Sequence, residues 1–288
     1  MTHHSEALRV ITAANPSPLT GPGTNTFLLG HRRIAVIDPG PDLPAHREAI
    51  LAAAGAGRIS HIFVTHAHLD HSEGAAALAE ATGAPILAFG PPEAGRSPLM
   101  HRLALEGGLD GGEGLDRAFL PDILLGDREV VEDEEWSLTT IHTPGHFAGH
   151  LSFRWQDWIF CGDLVMGWSS TLISPPDGDL ADYFRSLTRI GAENPARLLP
   201  AHGDPVETPA TRIAELAAHR RDRTAQILAA LREKPGDAAA LAARIYDIPP
   251  QLLPAARRNV LAHLIALAEL GAVRPSATLS ADTIFTAL

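Results

Sequence analysis

An α/β sandwich followed by a small helical domain with a short β-ribbon is the fold this sequence predicts. Three observations point to it. Short β-type runs alternate with helical stretches through most of the chain; clusters of His and Asp come directly after several of those runs; and the pattern turns helical just beyond Thr208-Pro209.

The first strands are Leu8-Arg9-Val10-Ile11, Thr26-Phe27-Leu28-Leu29 and Ile34-Ala35-Val36-Ile37, bounded by Gly21-Pro22-Gly23 and Pro39-Gly40-Pro41. Residues 44–54 read as a helix stopped by Gly55, His61-Ile62-Phe63-Val64 as a strand, 72–81 as a helix closed by Gly83, and Pro85-Ile86-Leu87-Ala88-Phe89 as a strand. Residues 91–133 are less regular and glycine-rich over 107–114. Strands resume at 138–142, and 151–155 with 158–161 form a hairpin across Gln156-Asp157. A helix at 181–190 and a strand at Arg197-Leu198-Leu199 follow. These elements assign residues 1–207 to the sandwich and 208–288 to the second domain. In the latter, Ile213, Leu216, Ala217, Ile227, Leu228 and Leu231 share one helical face, and Pro235-Gly236 ends that run. Helices at 238–246 and 252–270, the second capped by Gly271, precede two β-type runs, Ala277-Thr278-Leu279 and Thr283-Ile284-Phe285. Three helices and a β-ribbon outline a winged helix.

Composition bounds the function. Of 288 residues, 45% are hydrophobic and 20% charged, as in ordinary globular proteins. No stretch approaches the ~20 apolar residues of a membrane helix, and Met1-Thr2-His3-His4-Ser5-Glu6 lacks a secretory pattern. Cys161 is the only cysteine, so no internal disulfide can form. A cytoplasmic location is expected on these grounds. Net charge is −11; the segment from Thr211 onward carries ten basic and seven acidic residues, a net of +3, which leaves −14 for the rest. An acidic body disfavours non-specific nucleic-acid binding, although bound divalent cations would offset charge locally.

The decisive segment is Val64-Thr65-His66-Ala67-His68-Leu69-Asp70-His71. It follows a strand and precedes a helix, so its imidazoles and carboxylate lie at a strand's C-terminal end. Nitrogen and oxygen donors of this kind suit Zn²⁺. The spacing lets His66 and His68 converge on one ion while Asp70 and His71 turn to a second. The bland alternative is a polar, His-rich loop. Further donors follow later strands: His146 in Thr143-Pro144-Gly145-His146, Asp163 in Cys161-Gly162-Asp163, and His202 in Pro200-Ala201-His202-Gly203. Each is weak alone, since a lone His after a strand is commonly a surface or capping residue.

Taken in order, these residues resemble the metallo-β-lactamase superfamily, whose motif runs His-x-His-x-Asp-His, then His, Asp and His. The resemblance implies a four-layer αββα sandwich and a binuclear metal centre. It places one ion on His66, His68 and His146 and a second on Asp70, His71 and His202, with Asp163 as the bridge. Asp163 stands where antibiotic-hydrolysing members often carry cysteine, which disfavours a β-lactam substrate. Two such ions share a water, lower its pKa toward ~7 and present a bridging hydroxide; Asp70 can orient it and accept a proton. Zn²⁺ is the expected metal, with Mn²⁺ or Fe²⁺ as substitutes. Asn15-Pro16-Ser17-Pro18, Gly23-Thr24-Asn25-Thr26-Phe27-Leu28 and Ile37-Asp38-Pro39-Gly40, together with the stretch from His219 to Val273, resemble the lactamase-beta-like protein 2 group, with its C-terminal winged-helix-like domain. That likeness implies single-stranded RNA endonuclease activity; if RNA is the substrate, Arg220, Arg221, Arg223, Arg257 and Arg258 should supply backbone contacts.

Other residues admit two readings. His142 either ends a strand or ligates metal; His150 either packs or supports a ligand. Cys161 reads as a buried hydrophobe by strand alternation. Trp155 and Trp158 read as hairpin packing, and Asn25 as a turn residue beside the site. Trp168, Ser169 and Thr171, on the loop after Asp163, are candidate substrate contacts. Arg257 and Arg258 read as solvated or subunit-facing, a second copy of the chain being a candidate partner. The alternative substrates are a thioester or lactone, as for glyoxalase II and quorum-quenching lactonases. A non-enzymatic, metal-stabilised interaction module is the remaining reading.

Overall fold

The structure is a computed structural model, and it describes residues 7–106, 108–109 and 114–288. The hexapeptide read above for targeting, and most of the glycine-rich stretch at 107–114, lie outside the described residues. The first sheet contains β1 (Leu8–Thr12), β2 (Asn25–Leu29), β3 (Arg33–Ile37), β4 (Arg58–Phe63), β5 (Ile86–Ala88) and β6 (Ile123–Leu124), in that spatial order. β1 to β3 pair antiparallel, and β3 to β6 pair parallel. The second sheet has the order β11 (Arg197–Pro200), β10 (Trp158–Gly162), β9 (Leu151–Trp155), β8 (Ser137–His142) and β7 (Val130–Glu132). Only its β10–β11 pair is parallel.

Alternation along the strands builds the layers. Phe27, Leu29, Ala35, Ile37 and Phe63 meet Leu138, Leu151, Phe153, Phe160 and Leu199 between the sheets. Phe27–Phe160 and Phe63–Phe153 pack edge-on there, with centroids 5.1 and 5.2 Å apart. The intervening residues Leu28, Ile34, Val36 and Ile62 face the other way, onto Ile50 of α1 (Pro44–Ala54) and Leu78 of α3 (Ala75–Thr82). On the second sheet, Ile141, Ile159 and Leu198 face Tyr183, Leu187 and Ile190 of α5 (Leu180–Ala192). The result is the expected αββα arrangement.

The expected helix over 72–81 is two helices, α2 (Leu69–Ser72) and α3, because the Glu73-Gly74 junction is pinned to the loop after β3 by a Gly74 N–H to Gly40 carbonyl bond of 2.9 Å. The region read as irregular holds α4 (Pro98–Leu105), whose start is marked by Ser97 capping Met100 N and by Pro98 in the first turn.

The C-terminal helices are α6 (Pro209–Glu233), α7 (Ala238–Ile245) and α8 (Leu253–Glu269). The ribbon pairs β12 (Val273–Pro275) with β13 (Phe285–Ala287). The run 277–279 is therefore not a strand: the ribbon begins directly after Gly271, whose φ of 67° turns the chain out of α8. α6 serves two cores. Leu216 packs with α5 and the second sheet, whereas Ile227 and Leu231 join Leu241, Val260, Leu264 and Phe285. Met100 and Leu103 of α4 complete that second core. No helix among the described residues is long and apolar enough to cross a membrane.

Candidate metal centre

The C-terminal ends of β4, β8, β10 and β11 lead into the loops that carry His66, His146, Asp163 and His202. Two main-chain bonds stitch the sheets together at this edge, and a third continues the β10–β11 pairing into the loops. Leu151 N donates to Thr65 O at 2.8 Å, Asn25 N to Ala201 O at 2.7 Å, and Ala201 N to Gly162 O at 3.1 Å. Gly162 has φ 48°, and a Cβ there would come within 2.4 Å of His150 Nε2, so the turn into Asp163 needs glycine.

Seven side chains converge. Donor atoms of His66, His68 and His146 lie within 4.8 Å of one another, as do those of Asp70, His71 and His202, and those of His66, His71 and Asp163. His68 Nδ1 is 2.9 Å from His66 Nε2 and 3.1 Å from His146 Nε2. Nitrogens held at about 2.0–2.1 Å around one tetrahedral zinc would be about 3.3 Å apart, so this trio is nearly at ligand spacing. Asp163 straddles the two groups: its Oδ2 is 3.7 Å from His146 Nε2, and its Oδ1 is 3.3 Å from His202 Nε2 and 3.7 Å from His71 Nε2. Asp70 Oδ2 lies 3.3 Å from His202 Nε2 and 3.5 Å from His71 Nε2.

The outer hydrogen bonds determine which ring nitrogens face inward. His146 Nδ1 donates to Leu172 O at 2.6 Å, His202 Nδ1 to Gly23 O at 3.2 Å, and His71 Nδ1 to Asp38 Oδ2 at 2.9 Å. Thr65 Oγ1 gives its own proton to Asp38 Oδ2 at 2.8 Å, so it accepts from His66 Nδ1 at 3.0 Å. With Nδ1 committed outward, each of these rings turns its Nε2 toward the others and toward the carboxylates of Asp70 and Asp163. His71 Nε2 and Asp163 Oδ1 are buried without a hydrogen-bond partner. A buried cluster made of acceptors is costly unless a cation fills it, and the donor set fits divalent metal.

Electrostatics lead to the same demand. For His71, burial opposes protonation, but Asp70, Asp163 and Asp38 outweigh it and raise its pKa to about 9. For His202, burial is likewise overcome, chiefly by Asp163, and the pKa rises to about 11. Without a metal, protons would balance the carboxylates. His68 behaves oppositely: burial and then His146 push it down to about 3, against weaker support from Asp70.

The supporting residues are where sequence reasoning is least complete. Asp38 is the principal omission. It is 1% exposed, with φ 50°, and accepts from Thr65 N, Thr65 Oγ1 and His71 Nδ1. The available signal is an acid at the end of β3 followed by Pro39-Gly40. His150 supports the bridge: its Nε2 accepts from Asp163 N at 3.3 Å, and its Nδ1 meets Thr143 Oγ1. Asn25 braces the His202 loop, donating from Nδ2 to Gly203 O at 2.8 Å. His142 lies away from the cluster, stacked on Phe89, and Cys161 is buried with its thiol on Val165 O.

Of the candidate substrate contacts, Trp168 is 45% exposed and its indole donates to His202 O at 3.3 Å. Ser169 is half-buried beside it. Thr171 is fully buried and its hydroxyl is spent on the carbonyls of Asp163 and Leu164, so it holds the loop and cannot meet a substrate. Arg220 is also corrected. At 1% exposure it cannot contact a nucleic-acid backbone. Arg223 lies over the Tyr246 ring at 3.8 Å, and Arg257 pairs with Asp282 at 2.6 Å.

Comparison with known proteins agrees with this architecture. The family model described as metallo-beta-lactamase superfamily matches residues 19–202, and the beta-lactamase associated winged helix domain matches residues 238–279. A curated relative, the beta-lactamase-like protein 2 homolog of Drosophila melanogaster, is 30% identical over 94% of this chain and 91% of its own. A hydroxyacylglutathione hydrolase of Pseudomonas paraeruginosa is 33% identical over 56% of this chain and 53% of its own. The crystal structure of a metallo-beta-lactamase family protein from Thermus thermophilus aligns with a TM-score of 0.80 at 25% identity, covering 98% of this chain and 99% of that one. The chain belongs to the metallo-beta-lactamase superfamily of hydrolases.

Proposed function

We propose that the chain is a binuclear metal-dependent hydrolase of an activated acyl compound, a thioester or related ester. His66, His68 and His146 hold one divalent ion, Asp70, His71 and His202 hold the other, and Asp163 joins them. The observation that carries the binuclear reading is the set of inward Nε2 atoms facing the carboxylates of Asp70 and Asp163, with Asp163 reaching both groups. Ions bound there would lower the pKa of a shared water toward ~7 and polarise the substrate's oxygen.

The protein's own residues do the rest. Asp70 is the more open carboxylate, its side chain 28% exposed against 11% for Asp163. It is placed to accept the proton released as water attacks, at Oδ1, leaving Oδ2 opposite His202. Asp38, through His71 and Thr65, keeps the ring nitrogens aimed inward. Trp168 and Ser169 border the approach over the His202 loop. Residues 1–207 carry the chemistry, and 208–288 shape access and brace the site.

Three observations favour an acyl substrate over RNA. The body is acidic, and of the arginines that an RNA would use, Arg220 is buried and Arg257 is paired with Asp282. The hydroxyacylglutathione hydrolase relative is named for a thioester substrate class. The end-to-end likeness to the beta-lactamase-like protein 2 homolog supports the second reading, cleavage of single-stranded RNA. The metal is Zn²⁺ in our reading; a structural relative in di-iron-bound form, at 27% identity over 70% of this chain, keeps iron as the competitor. The test is a parallel assay of zinc-, manganese- and iron-loaded protein on S-lactoylglutathione, an acyl homoserine lactone, single-stranded RNA and nitrocefin. Turnover of RNA with none of the acyl compounds cleaved would overturn the acyl assignment.

A further inference from the structure

The stretch Thr171, Leu172 and Ile173 is engaged from two sides. On the side of the donor cluster, Thr171 Oγ1 donates to the Asp163 carbonyl, and Leu172 O accepts from His146 Nδ1 at 2.6 Å. On the side of the C-terminal helices, Thr171 O accepts from Arg220 Nη2, and Ile173 N donates to Asn259 Oδ1 at 3.0 Å. Asn259 Oδ1 also accepts from Arg220 Nη1 at 3.1 Å. Arg220 belongs to α6 and Asn259 to α8. Three consecutive residues are thus engaged by two helices outside the sandwich, while two of them, Thr171 and Leu172, hold the main chain at Asp163 and the ring of His146.

Arg220 is a costly residue to use for packing. Its guanidinium is buried, its Nε lacks a hydrogen-bond partner, and it lies 5.5 Å from the Tyr183 ring centre. Among the described residues no carboxylate pairs with it. A buried cation without a counter-charge is far less favourable than an apolar side chain of similar size. Its donors are instead directed to the Thr171 carbonyl and, through Asn259, to the amide two residues further on. That directionality is what an apolar residue could not supply.

We propose that Arg220 and Asn259 are positioning residues for the metal centre, fixing the 171–173 stretch and, through it, Asp163 and the ring of His146. The inference rests on the binuclear reading above. It gives the C-terminal helices a role in building the centre as well as in bordering it.

The test uses the full chain with Asn259→Ala and Arg220→Lys, and with Leu241→Ala as control. Leu241 is buried in the C-terminal core and takes no part in the clamp. Zinc affinity is measured by chelator competition, ligand geometry by the visible absorption of cobalt-loaded protein, and fold integrity by the Tm of metal-free protein. Loss of an outer hydrogen-bond partner lowers metal affinity about 10- to 100-fold, and that loss with an altered cobalt spectrum is expected for both clamp variants. Leu241→Ala should lower the metal-free Tm and leave affinity and spectrum as in the parent. Wild-type affinity and spectrum in Asn259→Ala overturn the proposal, as does equal metal loss in the control. If Arg220→Lys does not fold, Asn259→Ala, at a half-buried position, decides alone. A parent protein that binds fewer than two ions refutes the binuclear reading and this inference together; a parent that binds two, with unchanged clamp variants, refutes only the inference.

Discussion

Replacing Asp38 with Asn removes one charge without changing shape, and the structure gives its consequence. Asp38 receives Thr65 N at 2.7 Å, Thr65 Oγ1 at 2.8 Å and His71 Nδ1 at 2.9 Å. An amide can accept the Thr65 N–H with its oxygen, but its NH₂ then faces the Thr65 hydroxyl and His71 Nδ1. Thr65 can rotate its proton away and accept. His71 can accept only by moving its own proton to Nε2, which points into the donor cluster. The substitution therefore caps a metal-facing lone pair. Loss of a charge-assisted hydrogen bond is worth about 1.5–3 kcal/mol, and loss of an outer partner lowers metal affinity about 10- to 100-fold, or roughly 1.4–2.7 kcal/mol. The second ion, on Asp70, His71 and His202, should weaken by that factor while the ion on His66, His68 and His146 is nearly unchanged. Chelator competition with stepwise metal loading measures both. Asp38→Asn retaining the second ion within about twofold would refute the argument that outer hydrogen bonds fix the ring tautomers.

Asp70→Ala should lower turnover on the best substrate about 10²- to 10⁴-fold while the three-imidazole site keeps its metal; near-normal turnover would remove Asp70 from the mechanism. Proton release should accompany loading. His71 and His202, raised to about 9 and about 11 in the metal-free protein, carry protons at neutral pH that the second ion must displace. Calorimetry in buffers of different ionisation enthalpy would detect this release, and affinity for the second ion should rise with pH through about 9 and on to about 11. The sign for stability is opposite: folded pKa values above the ordinary imidazole value of 6.5 stabilise the metal-free fold fully below that pH, and the benefit fades as pH rises through about 9 and then about 11. Urea unfolding of chelated protein across that range checks the direction. Restoring metal at about 100 times its Kd should raise stability by about 2.7 kcal/mol; an unchanged midpoint would mean that the folded state binds no ion.

The donor set can be read from the sequence because each donor follows a β-type run, and strand ends on one edge bring distant loops together. The layers are equally legible: alternation in Phe27-Leu28-Leu29 separates the inter-sheet core from the helix-facing core. Three features are not visible there. Asp38 looks like a turn residue, because nothing local shows that its carboxylate will face Thr65 and His71. Arg220 looks like a surface cation, because its burial arises only when α6 and α8 close over Thr171. Thr171 looks available to substrate for the same reason. The ribbon lies away from its expected place because 273–275 contains a proline and an arginine and reads poorly as strand, whereas pairing with 285–287 fixes it by register. Local pattern identifies the elements and the ligands, while contacts between residues remote in sequence determine which polar groups support them.

The binuclear assignment faces its sharpest test in metal content combined with anomalous diffraction from reconstituted crystals. Two ions per chain are expected, one among His66, His68 and His146, the other among Asp70, His71 and His202, with Asp163 between them. One ion or fewer per chain, with Asp70, His71 and His202 splayed apart, would contradict it.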